Sequence, residues 1–149
     1  MTTRADLLRF LRSHRYAVEA SVSPSQAAQA AVVGIVVTDT FEILFDTLDS
    51  TRKLRNLRQN PRIALVVGGL DAGDERTAQV EGLADEPWGE ELARLKRSYY
   101  EVFPDGIERS AWPGLVYVRT KPTWIRFSDF RRNPAAITEF DFSTSPAMG

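Results

Sequence analysis

Between Thr3 and His14, apolar residues recur at Leu7, Leu8 and Leu11, joined by Phe10, and this spacing predicts an amphipathic helix. Tyr16–Val22 alternates, with Tyr, Val, Ala and Val at every second position, and predicts a short strand. Ser23–Gln26 is a turn signal. Ala27–Thr38 is small and apolar and ends in Gly-Ile-Val-Val, which predicts a buried strand. After a tight connection at Thr38–Thr40 it should return antiparallel as Phe41–Phe45. Thr51–Gln59 predicts a short helix with Leu54 and Leu57 inward. Asn60-Pro61 stops it, because the residue before proline disfavours helical backbone. Ile63–Val67 and Thr77–Asp85 predict two more strands around a flexible turn at Gly68–Arg76. A helix follows from Trp88 to about Val102, with Leu92, Leu95 and Tyr99 on one face. Phe103–Gly114 reads as a loop. Leu115–Thr120 and Thr123–Ser128 read as a last hairpin around Lys121-Pro122, and a polar tail begins after Asp129.

Strands that arrive in hairpins with helices between them predict an α+β fold, an antiparallel barrel with inserted helices, and not a doubly wound parallel sheet. At 149 residues the chain is expected to be one domain. Its barrel core should span about residues 16–128 and its tail residues 129–149.

Composition narrows the chemistry by exclusion. A net charge of −1 lacks the basic field that nonspecific nucleic-acid or anionic-membrane binding needs. With no cysteine, disulfides, thiolate metal sites and cysteine nucleophiles are ruled out. His14 is the sole histidine and falls on a predicted surface helix, so it reads as a solvated side chain rather than a metal ligand or a hydrolase base. No GxSxG elbow, Walker loop or GxGxxG is present. Glu81, Asp85 and Glu86 read as solvating a strand end and capping a helix, not as an acid–base pair. The N-terminal stretch is charge-interrupted, unlike a signal peptide, and no apolar run has the length of a membrane span, so a soluble cytoplasmic protein is expected. A chain this poor in nucleophiles and bases can still be an enzyme if a cofactor brings the reactivity. It is equally compatible with no catalysis.

The stretch Phe45–Pro61, FDTLDSTRKLRNLRQNP, carries the most chemistry. An apolar strand passes through a hydroxyl-rich turn into a helix that opens with two cations. Thr47, Ser50 and Thr51 offer hydroxyls, and Arg52 and Lys53 offer charge. First-turn N–H groups have no intrahelical partner, and the helix dipole is positive there, so the arrangement suits a dianionic phosphate. The competing reading is ordinary capping by Ser/Thr, with Asp46 and Asp49 offsetting the two cations.

Hydroxyl, turn, hydroxyl, Arg-Lys and then Asn-Pro resembles the pyridoxamine 5′-phosphate oxidase-like family of flavin-binding split barrels. The residues that carry this are Thr47, Thr51-Arg52-Lys53 and Asn60-Pro61, followed by the strand Arg62–Val67. Ala30–Thr47, Thr77–Pro87 and Trp112–Phe127 are similar to the family's flanking strands, in order. The resemblance implies an antiparallel split β-barrel and a homodimer with flavin mononucleotide (FMN) at its interface. It also implies hydride transfer between flavin and an unknown small molecule. Thr47, Ser50, Thr51, Arg52 and Lys53 would hold the phosphate. The family's flavin-facing strand maps onto about Ala31–Val36, and Thr77 and Trp124 complete the cofactor-binding set, with Trp112 and Phe127 as further ring-pocket candidates. The founding enzyme has Arg and Lys where this chain has Ala31 and Val36, and Gln where it has Thr77. Its carboxy-terminal Arg/His motif is not matched by the Arg126, Arg131 and Arg132 region. These departures favour flavin binding over pyridoxine-phosphate oxidation. Two alternatives keep the fold: a deazaflavin-dependent reductase whose groove is widened by Arg55 and Arg58, and a non-catalytic flavin- or haem-related binding module.

Overall fold

The computed structural model describes residues 2–143; the end of the expected tail, residues 144–149, lies outside them. Helix α1 (Arg4–Arg12) opens on a reciprocal cap in which Thr3 and Asp6 satisfy each other's backbone N–H. Strands β1 (Tyr16–Val22) and β2 (Ala28–Gly34) form the first hairpin. Strands β3 (Val36–Val37) and β4 (Ile43–Leu48) form a second, and α2 (Arg52–Gln59) follows directly. Then come β5 (Arg62–Val67), β6 (Arg76–Asp85), α3 (Gly89–Val102), the short α4 (Gly106–Arg109), β7 (Leu115–Asp129) and β8 (Ala136–Asp141).

All pairings are antiparallel, in the order β2-β1-β5-β6-β7-β4-β3, with β8 also on β7. The sheet curls until β2 touches β4, giving an antiparallel split barrel with inserted helices, an α+β fold. Leu7, Phe10 and Leu11 of α1 and Leu54 and Leu57 of α2 join Phe45, Leu65, Val80 and Ile125 in the interior. A second cluster lies outside the barrel wall, where α3 lays Leu95, Tyr99 and Phe103 over Val36, Leu44 and Tyr117. No helix among the described residues is long and apolar enough to cross a membrane.

Four expectations need correction. Ala27–Thr38 is not one buried strand: it breaks at Ile35, and its first part is a sheet edge where Ala28, Ala30 and Val32 are exposed. Leu115–Ser128 is not a hairpin but part of one continuous strand. Lys-Pro supplies no residue suited to the positive φ of a two-residue hairpin turn. Pro122 instead sits at a bulge, where proline's missing N–H is tolerated. Gly82 faces it, and a Cβ there would come within 2.5 Å of the Lys121 carbonyl oxygen. The region after Asp129 contains β8, and the loop Phe103–Gly114 contains α4.

The alternation of β1 is also inverted relative to a simple apolar-inside reading. Ala17, Glu19 and Ser21 are buried, while Tyr16, Val18, Ala20 and Val22 point to the outer face. The ladder continues that face through Val32 and Ala30 on one side and Val66 and Ala64 on the other. Part of the barrel's outer wall is thus covered by α3, and the face of β2, β1 and β5 is an apolar sheet that nothing among the described residues covers.

Candidate cofactor site

Strand β4 ends in a turn that delivers Thr47, Ser50 and Thr51 to the start of α2. Thr51 is the N-cap: its Oγ1 donates to the Leu48 carbonyl at 2.9 Å, accepts the Leu54 N–H at 3.4 Å, and stands 3.0 Å from Thr47 Oγ1. Thr47 is buried and Ser50 exposed. No acidic residue lies in the first turn of α2. Arg52 is exposed and Lys53 half-buried, and neither forms an ion pair among the described residues. The aspartates expected to offset them do not. Asp46 takes the Arg109 guanidinium at 3.1 Å, and Asp49 forms no ion pair among the described residues. The turn therefore presents Arg52 without a counter-ion, and Lys53 with only the buried Glu19 acting on it, at the positive end of a helix dipole, which suits an anion.

Beneath α2 lies a polar patch that the alternation of β1 concealed. Asn56, buried, donates to Ser21 Oγ at 3.0 Å and to Gln29 Oε1 at 2.8 Å, tying the helix to β1 and β2. Glu19 is 1% exposed and its Oε2 has no hydrogen-bond partner. Burial pushes its carboxyl up to about 7, against the pull of Lys53. Ala31 faces Glu19 across the β1–β2 ladder and so belongs to this neighbourhood.

The remaining expected site residues lie elsewhere. Val36 is buried under α3 among Leu44, Leu95 and Tyr99, so its side chain is not free to face a ligand. Thr47 pairs with Val116 on β7, whereas Trp124 lies roughly 25 Å of strand further along, and Thr77, opposite Ser128, further still. Phe127 is core and Trp112 is exposed. Arg58 is engaged by Glu86 through two hydrogen bonds of 2.9 and 2.8 Å, leaving Arg55 without an ion pair among the described residues. Of the carboxylates expected to be solvated, only Glu81 is free of ion pairs among the described residues; Asp85 binds Arg119.

His14 is not a solvated side chain. Its Nε2 is 2.9 Å from Asp74 Oδ2 and its Nδ1 3.0 Å from the Phe10 carbonyl oxygen. Both ring nitrogens are engaged, because the turn carrying Asp74 folds back over the end of α1.

Comparison with known proteins places the chain. The sequence model of the family described as "Pyridoxamine 5'-phosphate oxidase" matches residues 4–129. No curated protein sequence matches. Among solved structures, a heme binding protein from Mycobacterium smegmatis superposes with a TM-score of 0.80 at 14% identity, over 95% of this chain and 59% of that one. A conserved hypothetical protein from Mycobacterium tuberculosis gives 0.75 at 23% identity, over 97% and 96%. A pyridoxamine 5'-phosphate oxidase-related, FMN binding protein from Nostoc punctiforme gives 0.71 at 14% identity, over 92% and 88%. The chain thus spans 59% of the length of the M. smegmatis protein. At these identities the likeness shows the fold.

Proposed function

We propose, on the premise that this chain belongs to the pyridoxamine 5′-phosphate oxidase family, that it binds FMN and acts as a flavin-dependent oxidoreductase on a small molecule. The observation that carries this reading is the pair Arg52 and Lys53, in no ion pair among the described residues at the N-terminus of α2, above the Thr47–Thr51 hydroxyl pair. The guanidinium of Arg52 can take two phosphate oxygens at once, and Lys53 acts as a point charge. First-turn N–H groups and the Ser50 hydroxyl add donors. FMN, when bound, supplies hydride chemistry that this chain's own side chains lack. The protein's part is to hold, orient and shield.

The structural likeness to a heme binding protein raises the haem alternative. The one histidine is held at both nitrogens, by Asp74 and by the Phe10 carbonyl, and so is not poised as an axial ligand. The turn therefore favours a phosphorylated cofactor. Arg58, neutralised by Glu86, adds little to a wider groove for a deazaflavin tail.

A second copy of the chain is proposed to cover the bare outer face of β2, β1 and β5. Val32 is 67% exposed and Tyr16 59%, on a sheet face that the exposed Gln79 and Glu81 of β6 bound on one side. An apolar face of this kind marks an interaction surface. It would also explain how Trp124, remote from the turn within one protomer, could join a ring pocket. Light scattering should report a dimer, and Val32→Asp should shift it to monomer; an unchanged mass would refute this face as the interface.

Purified protein should show the flavin absorption band or quench added FMN. Arg52→Ala and Lys53→Ala, made singly, should each weaken FMN about tenfold to a hundredfold, the loss of about 1.5–3 kcal/mol of charged hydrogen bonding, with little change in melting temperature. Unaltered affinity in both would sink the reading.

A further inference from the structure

A second concave site lies at the opposite end of β6 from α2. It is a cleft of about 520 Å³ between α1, the first residue of β6, the end of β7 and β8. Arg76, which opens β6, and Asp85, which ends it, are separated by roughly 30 Å of strand. Asp85 sits by α2, in the hollow shared with Leu57 and Arg58. The cleft shares no residue with the Thr47–Lys53 turn, and one small ligand held by one protomer could not occupy both.

The cleft's charges are unequal. Four arginines line it, Arg9, Arg76, Arg131 and Arg132, against two aspartates, Asp6 and Asp129. Each aspartate is already committed. Asp6 pairs with Arg9. Asp129, itself 7% exposed, receives Arg131 Nε at 2.9 Å, Nη2 at 2.7 Å and the Arg131 backbone N–H at 3.1 Å. These hydrogen bonds hold the Asp129 carboxyl down at about 2, so it stays a carboxylate at any working pH. Glu75, next to Arg76, acts on the same Arg131. The surplus resides in Arg76 and Arg132, neither of which forms an ion pair or a side-chain hydrogen bond among the described residues.

Arg76 is placed by stacking rather than by a counter-ion. Its guanidinium carbon lies 5.3 Å from the centre of the Phe10 ring, which leaves its N–H groups unspent. Phe10 in turn packs edge-to-face on Phe127 at 5.0 Å, so the base of the cleft is aromatic and rigid. The two rings are almost fully buried and fix Arg76 from beneath, so Arg76 and Arg132, with Thr138 also lining the cleft, make a complement for a small anion.

We propose that this cleft is a binding site for a small organic anion, with a phosphate or carboxylate head held by Arg76 and Arg132. The site is separate from the phosphate turn and does not depend on it.

The test uses phenyl phosphate as probe and a protein carrying Arg52→Ala and Lys53→Ala, so that the turn cannot contribute. Calorimetry should show saturable binding, and amide resonances of Ser13, Arg76 and Thr138 should move with the same dissociation constant. Adding Arg76→Gln and Arg132→Gln should weaken it by about tenfold or more. Arg132 is exposed, so Arg132→Gln alone keeps the fold and should still weaken binding several-fold. Inorganic phosphate, which carries the same head, should displace phenyl phosphate from the site. Absence of saturable binding, or affinity indifferent to both substitutions, overturns the proposal.

Discussion

Replacing Arg119 with alanine should destabilise the fold by about 1.5–3 kcal/mol at pH 7.5: Arg119 and Glu42 are buried, but Asp85 and Glu91 are about half exposed, so solvent screens part of the cluster and the loss falls short of that for a fully buried pair. Arg119 sits mid-sheet on β7, between Leu44 of β4 and Asp85 of β6, and its side chain is 4% exposed. Its Nε and Nη2 reach Asp85 at 2.9 and 2.6 Å, and its Nη1 reaches Glu42 at 2.9 Å and also Glu91. Glu42 is largely buried and makes a further pair with Arg94 at 3.2 Å. One cation thus holds three carboxylates drawn from β6, from α3 and from the β3–β4 turn. Alanine would remove the charge and leave the buried Glu42 without it, beside two half-exposed carboxylates.

The sign with pH follows from the acids. Burial alone would raise the carboxyls of Glu42 and Asp85, but hydrogen bonds from Arg119 bring both below their ordinary values. In the wild-type protein their contribution is present above the unfolded pKa and lost as pH falls through the folded one. In Arg119→Ala the same acids lose their partner, their folded pKa rises, and protonation relieves the repulsion. The deficit should therefore shrink as pH is lowered from 7.5 towards 5. Glu42→Gln in the Arg119→Ala background should recover part of it. Urea unfolding at the two pH values measures this, and a deficit under 1 kcal/mol at pH 7.5, or one that does not narrow in acid, contradicts the account.

The same residues show what a linear reading can reach. The turn and its helix were legible because everything needed lies within Phe45–Pro61: apolar strand, hydroxyl N-cap, amphipathic turn of helix, Asn-Pro stop. Arg119 was not legible. Its partners lie 28, 34 and 77 residues away, and only the barrel's closure brings them together. The strand break at Ile35 was hidden because a run of small apolar residues looks alike whether it faces a core or a bare sheet edge. In β1 the alternation was legible but not which row faces inward. Tyr16, Val18, Ala20 and Val22 are the outward row, and the inward row carries Glu19 and Ser21 because α2 presents Asn56 and Lys53 to it. A polar residue on the inner face of a strand is such a conflict between pattern and position, and these conflicts gather at functional sites. His14 failed for a similar reason: its partner Asp74 lies 60 residues away, on a turn whose course no local signal sets.

Glu19→Gln should stabilise the protein at pH 8 relative to pH 5, by about 2.5 kcal/mol in the difference between the two conditions. Burial raises the Glu19 carboxyl from an ordinary 4.5 to about 7 in the fold, and Lys53 only partly opposes this. A group whose folded pKa lies above its unfolded one favours the fold fully below the unfolded pKa, and that contribution is lost as pH rises through the folded value. The window therefore runs from about pH 4.5 to about pH 7. Wild-type stability should fall across it, because ionising Glu19 leaves a carboxylate in the barrel with one oxygen unpartnered. Glutamine cannot ionise, so this slope should vanish in the variant. Any constant cost of placing an amide there, such as an unsatisfied N–H, shifts the whole curve and cancels in the difference. Denaturant unfolding of both proteins from pH 5 to pH 8.5 reads the slope. Parallel curves would mean that Glu19 is already charged in the fold, fully partnered by Lys53, and that the cation assigned to the phosphate is held by the barrel instead.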